Sequence, residues 1–132
     1  FSIPCIPSVY TNNHNGETSI SSVICPSAET ITSLHIDSPD LTNTDFPNLT
    51  TVETLKIVSY YPVNNNSKLT HMNGIKSLNK LTSIEMVNLK AFTDYSFLKT
   101  VVENGSLKEI KIKENAYNPT MEDLKRGLYV KP

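Results

Sequence analysis

Leu107 to Tyr117, LKEIKIKENAY, spaces its residues as L-x-x-L-x-L-x-x-N-x-L, with Ile110, Ile112 and Tyr117 standing in for leucine and Asn115 at the polar place. The alternation around Ile110 and Ile112 has the period of a strand, and Glu114 to Ala116 have turn character. A unit this short cannot bury its apolar face alone and must stack on copies of itself. Copies are present. The apolar-x-x-apolar-x-apolar core recurs at Ile31, Leu34, Ile36, at Val52, Leu55, Ile57 and at Leu81, Ile84, Met86. From Ile31 through Val52 and Leu81 to Leu107 the starts lie roughly 21, 29 and 26 residues apart. A weaker version at Ile20, Val23, Cys25 begins about 11 residues before the first full copy, as a shortened terminal strand would. The spacing predicts about five parallel strands, four of them regular.

Around these cores the chain divides into an N-terminal cap over residues 1–19, a solenoid over 20–117, and a tail over 118–132 that is either a C-terminal cap or the start of a further unit. The cap carries Pro4, Pro7 and the breaker run Asn12 to Gly16, with a hairpin turn expected at Asn15-Gly16. The weak first strand runs from Ile20 to Cys25 and the next from Ile31 to Asp37. Between strands the apolar residues come every third position, at Phe46, Leu49, Val52 and again at Leu69, Met72, Ile75, Leu78. That period suits tight turns and 3-10 pieces better than an α-helix, so the backs of the units are thin. In the last back, Asp94 reads as an N-cap, Tyr95, Leu98, Val101 and Val102 share a face, and Gly105 stops a helix expected over Tyr95 to Asn104. Thr120 opens a second short helix, and Leu128 to Val130 forms a final extended piece.

The 132 residues make one domain, with a net charge of −1 and no basic stripe, which excludes the electrostatic footprint of a nucleic-acid binder. Cys5 and Cys25 are expected to pair, closing a loop of about 20 residues for roughly 3 kcal/mol; two buried thiols are the alternative. A bridge implies an oxidising compartment. Asn48, Asn65 and Asn104 each begin an N-x-[ST] sequon between strands, where a solenoid's loops face water. Together these features predict a secreted or cell-surface glycoprotein. No signal peptide and no apolar run long enough to span a membrane is recognisable, and a mature chain beginning at Phe1 would already have lost its signal.

The units resemble the leucine-rich repeat superfamily, whose repeats run about 20 to 29 residues. The phrase FPNLTTVETLKI at Phe46 to Ile57 is similar to repeats of receptor L-domains and of fungal or protist surface proteins. The resemblance covers roughly Ile20 to Tyr117. It implies an α/β repeat solenoid with a parallel sheet on one face, thin backs, one or two short helices, and an extracellular binding or wall-associated role. One departure stands out: the asparagine that ladders into the neighbouring backbone is present only as Asn115, with Pro39, Tyr60 and Leu89 at the equivalent places.

Strand residues pointing away from the core fall into rows. The middle row is His35, Lys56, Glu85, Lys111, flanked by Ser33, Thr54, Ser83, Glu109 and by Asp37, Val58, Val87, Lys113. Lys56, Glu85 and Lys111 alternate in sign, which reads either as a cross-strand charge ladder or, with His35 and with Tyr60 and Tyr61 at the edge, as a recognition surface. His14, His35 and His71 are scattered, and no HExxH, paired CxxC, acidic calcium loop, nucleophile elbow, P-loop or dinucleotide fingerprint is present. The expectation is no enzyme, no metal and no cofactor. Two functions remain: recognition of a protein or glycan partner through the strand face and adjacent loops, or self-assembly of copies through the solenoid ends.

Overall fold

The computed structural model describes residues 2–3, 8–12, 22–24, 27–37, 43–59, 68–72, 75 and 77–132. Thr, Val, Ile and Leu dominate TITSLHID, TVETLKIV and KLTSIEMV, and these three segments form the long strands, as β-branched residues should. In chain order the strands are β1 (Ser2–Ile3), β2 (Ser8–Asn12), β3 (Ser22–Ile24), β4 (Thr30–Asp37), β5 (Asn43–Asp45), β6 (Thr51–Val58), β7 (Lys80–Val87) and β8 (Glu109–Lys113). Two short α-helices, α1 (Lys99–Glu103) and α2 (Met121–Lys125), and a 3-10 turn over Ser96–Leu98 complete the elements. The fold is α/β, built on a parallel sheet with few helices.

The main sheet has five strands in the order β2-β4-β6-β7-β8, all parallel. A second sheet, β1-β3-β5, is also parallel. The register pairs Leu34 with Leu55, Leu55 with Ile84 and Ile84 with Ile110, which are the positions aligned from the sequence spacing. The first strand is a correction. The weak pattern at Ile20–Cys25 does not supply the edge of the main sheet: β3 lies in the second sheet, and β2, inside the segment read as a cap, pairs Val9 with Leu34. Thr11 stands opposite Ile36, so the third apolar site of the pattern is polar there and the strand escaped the periodicity. The expected hairpin at Asn15-Gly16 lies outside the described residues.

The same backbone bonds recur from strand to strand. The carbonyl of Glu29 accepts from the N–H groups of Thr50 and Thr51 at 2.9 and 3.2 Å, and that of Thr50 accepts from Asn79 and Lys80 at 2.9 and 3.1 Å. Where strands end, Ser59 N–H donates to Val87 and Asn88 N–H to Lys113, both at 3.2 Å. Asn88 and Glu114, each one residue past a strand, both adopt left-handed backbone with φ of 62° and 60°. That conformation suits asparagine and burdens glutamate, so the turn rather than the side chain dictates it.

The core lies on one side of the main sheet. Ile31, Leu34, Ile36, Val52, Leu55, Ile57, Leu81, Ile84 and Met86 point into it from the strands. The every-third-residue positions Phe46, Leu49, Leu69, Met72, Ile75 and Leu78 are buried against them. Phe92, Tyr95, Leu98 and Val101 close the last part, with Phe92 and Tyr95 edge-to-face at 4.7 Å. The expected helix over Tyr95–Asn104 is realised as the 3-10 turn followed by α1, and Gly105 follows it at φ 76°. The expected N-cap at Asp94 is a correction: Tyr95 is the N-cap of the 3-10 turn and Leu98 that of α1, neither with a side-chain cap, while Asp94 accepts from Ser96 N–H at 2.8 Å just before the turn. Thr120 and Asp123 form a reciprocal capping box on α2, whose Leu124 is buried.

Asn115 ties the β7 end to β8. Its Oδ1 accepts from Leu89 N–H at 2.8 Å, and its Nδ2 donates to the Met86 carbonyl at 2.9 Å and to Tyr95 Oη at 3.0 Å. Tyr95 Oη in turn donates to the Tyr117 carbonyl at 2.9 Å. Asn115→Leu leaves two backbone groups without partners, so it should lower stability by about 2 to 4 kcal/mol in denaturant titrations. Burial pushes the Tyr95 hydroxyl above the ordinary tyrosine range, with the Asn115 bond acting the other way. The folded chain then holds a proton that the unfolded chain releases near pH ~10. Stability from Tyr95 should be complete below that pH and decline as pH rises above it, and Tyr95→Phe should flatten the decline in alkaline melting curves.

Candidate functional site

Strand register brings the predicted middle row together. His35, Lys56, Glu85 and Lys111 are successive cross-strand partners, and on β2 Tyr10 occupies the same row. Lys56 Nζ lies 3.6 Å from Glu85 Oε2, and the two side chains are 33% and 24% exposed. The pair is therefore partly shielded but well hydrated, the regime in which an ion pair contributes a few tenths of a kcal/mol. Lys111 is exposed and His35 half-buried. The flanking row of Ser33, Thr54, Ser83 and Glu109 is realised as a row as well.

The third row departs from expectation. Val58 and Val87 stand side by side in it, yet both are fully buried, and neither belongs to the core cluster. Two adjacent valines are poor solvent-facing residues, and covering them removes apolar area from water at roughly 25 cal/mol per Å². The strand face is thus polar and open at its middle and closed where β6 and β7 end. Tyr60, Tyr61, Asn65, Cys5 and Cys25 lie outside the described residues. Asn48 and Asn104 are both exposed, as an N-glycan acceptor must be. Asn104 is also a fastener: its Nδ2 donates to the Asn79 carbonyl at 2.7 Å and its Oδ1 accepts from Ser106 N–H at 2.9 Å.

A cleft on the other side of the molecule has no counterpart among the sequence-predicted sites. Its volume is about 230 Å³, and His71, Met72, Ile75, Asp94, Ser96 and Phe97 line it. A small backbone ladder positions it. Thr93 and Asp94 N–H both donate to the Thr70 carbonyl at 3.0 and 3.3 Å, which sets His71 beside Asp94 as a parallel bridge. The tail closes the other edge of that ladder: Tyr95 N–H donates to Tyr129 at 2.8 Å and Lys131 N–H to Thr93 at 2.9 Å, with Val130 opposite Asp94. His71 Nδ1 and Thr70 Oγ1 share a hydrogen bond at 2.9 Å, and the Asp94 carboxylate is held by Ser96 N–H. Phe97 packs edge-to-face on Phe92 at 6.4 Å and remains half-exposed. The signal available in the sequence was the match of LTHMNGI at Leu69–Ile75 with FTDYSFL at Phe92–Leu98, which places His71 and Asp94 at one position.

Among the described residues no three His, Cys, Asp or Glu side chains are grouped to hold a metal ion, and no helix is long and apolar enough to cross a membrane. Neither a protein-family model, nor a curated protein, nor a solved structure matches the chain. The Lys56–Glu85 contact is directly testable. A double-mutant cycle with Lys56→Ala and Glu85→Ala should return a coupling of about 0.2 to 1 kcal/mol at low salt, shrinking towards zero at ~1 M salt.

Proposed function

We propose that the chain is a leucine-rich-repeat-like recognition module, secreted or displayed on a cell surface, that binds a protein partner through the open middle of its strand face. The observation that carries this reading is the in-register row Lys56, Glu85, Lys111, which alternates in sign across three adjacent strands on one rigid sheet. Because the ion pair within it contributes little to stability, the row can serve a partner of complementary charge, where such groups set orientation and association rate. Tyr10 and His35 extend the row on β2 and β4. The recurring backbone bonds, the paired left-handed residues Asn88 and Glu114, and the Asn115 side chain reaching back to Leu89 and Met86 support the repeat reading. Exposure of Asn48 and Asn104 supports the glycoprotein reading. We read no catalytic role into the face.

A second reading, self-assembly through the ends, is favoured by one observation. On β8, an edge of the main sheet, Ile110 and Ile112 are only half-buried, whereas their β7 partners Ile84 and Met86 are 1% and 0% exposed. Edge strands with exposed apolar residues pair readily with other chains. In an array of extracellular proteins probed with the natively glycosylated chain, the recognition reading expects a partner whose binding falls at least tenfold in Lys56→Glu/Lys111→Glu at an unchanged melting temperature. Concentration-dependent growth in light scattering, blocked by Ile110→Lys and unaffected by the face variant, would replace it with the assembly reading.

A further inference from the structure

The back cleft combines features that the strand face lacks. Met72 and Ile75 are 5% and 8% exposed and give it an apolar floor, and the Phe97 ring adds an aromatic wall. Beside them stand one carboxylate and one imidazole on neighbouring rungs of a parallel ladder, a spacing of about 4.8 Å between strands. Both polar groups are already held. One oxygen of Asp94 accepts from Ser96 N–H and one ring nitrogen of His71 bonds Thr70, which leaves Asp94 Oδ2 and His71 Nε2 as the second polar atom of each side chain. Pre-oriented groups of this kind bind without the entropy cost of being ordered by the ligand.

The chemistry narrows the ligand. The Asp94 carboxylate in the lining repels anions, which disfavours phosphates and acidic peptides. The volume of about 230 Å³ equals that of seven or eight waters at roughly 30 Å³ each, and falls below the ~300 Å³ at which sites for larger ligands begin. A neutral ligand with one flat C–H face and a rim of adjacent hydroxyls fits each of these constraints. We infer that the cleft lined by His71, Met72, Ile75, Asp94, Ser96 and Phe97 binds a single neutral pyranose. The C–H face of the sugar rests on Phe97 and the apolar floor, where the electron-rich ring face attracts polarised C–H groups. Asp94 accepts from one ring hydroxyl and His71 engages its neighbour. The site is separate from the strand face, so it stands or falls apart from the protein-binding reading.

The test is a titration of the isotopically labelled full chain, followed by NMR, with methyl α-mannopyranoside, methyl β-galactopyranoside, methyl β-glucopyranoside and methyl N-acetyl-β-glucosaminide. At least one should give saturable shifts in the millimolar range, confined to residues of the two segments that line the cleft. Asp94→Asn keeps the acceptor for Ser96 N–H, and Phe97→Leu keeps apolar bulk against Phe92, so both variants should retain the wild-type melting transition and weaken binding at least tenfold. Absence of saturable shifts with all four glycosides overturns the inference. So do shifts that map to the strand face, or binding that survives both substitutions.

Discussion

One buried amide joins the elements on which the last third of the molecule depends. Asn115 satisfies the N–H of Leu89 and the carbonyl of Met86 on one side and the hydroxyl of Tyr95 on the other, and Tyr95 passes the connection to the Tyr117 carbonyl. A parallel sheet needs such a device wherever a strand ends, because the chain turns away and leaves backbone groups pointing at a neighbour that has also turned. Between β7 and β8 a side chain fills the gap. Nothing aliphatic can do so, which is why a polar amide stays buried there at 8% exposure. The same bonds hold Tyr95 in place, and Tyr95 N–H receives the C-terminal tail through Tyr129. The β8 end, the last turn and the tail are therefore one connected unit.

The back cleft depends on this arrangement. Docking the tail against Thr93 and Tyr95 fixes one edge of the small ladder, and Thr70 fixes the other. Asp94 is held between them, and the 3-10 turn after it swings Phe97 onto Phe92. A half-exposed aromatic ring beside a carboxylate is costly to maintain on a loop but inexpensive on a segment that already has a backbone partner on each side. The backbone of the cleft is thus tied on both edges, with Met72 and Ile75 reaching the core behind it.

The sequence spacing carried the main sheet well because stacking forces one apolar residue from each strand into each core layer. The aligned sites Leu34, Leu55, Ile84 and Ile110 became register partners without adjustment. It failed at β2, where Thr11 replaces the apolar residue that marks the other strands. It failed again at Val58 and Val87, since period-two alternation assigns a face but cannot say whether that face is covered. The row of Lys56, Glu85 and Lys111 was legible because alternation and register suffice to place it. The His71–Asp94 pair was not, because it arises from irregular connecting segments whose pairing depends on backbone bonds rather than on a hydrophobic period. Tyr60 and Tyr61, the aromatic part of the expected surface, lie outside the described residues.

The two faces thus answer to different physical demands. On the strand face the inner strands are held by ladders on both sides, so side chains in the middle row can change with small effect on the fold, and a charge pair there costs and contributes little. At the cleft four of the six lining residues also have a structural duty: Asp94 accepts from Ser96 N–H, Met72 and Ile75 fill the core, and Phe97 packs on Phe92. Residues with such double duty cannot drift independently. A polar row that tolerates substitution fits the proposed protein-binding surface, whereas a cleft built from core-bound residues fits the single ligand inferred for it. That contrast is why the strand face is read for a macromolecule and the cleft for a single sugar ring.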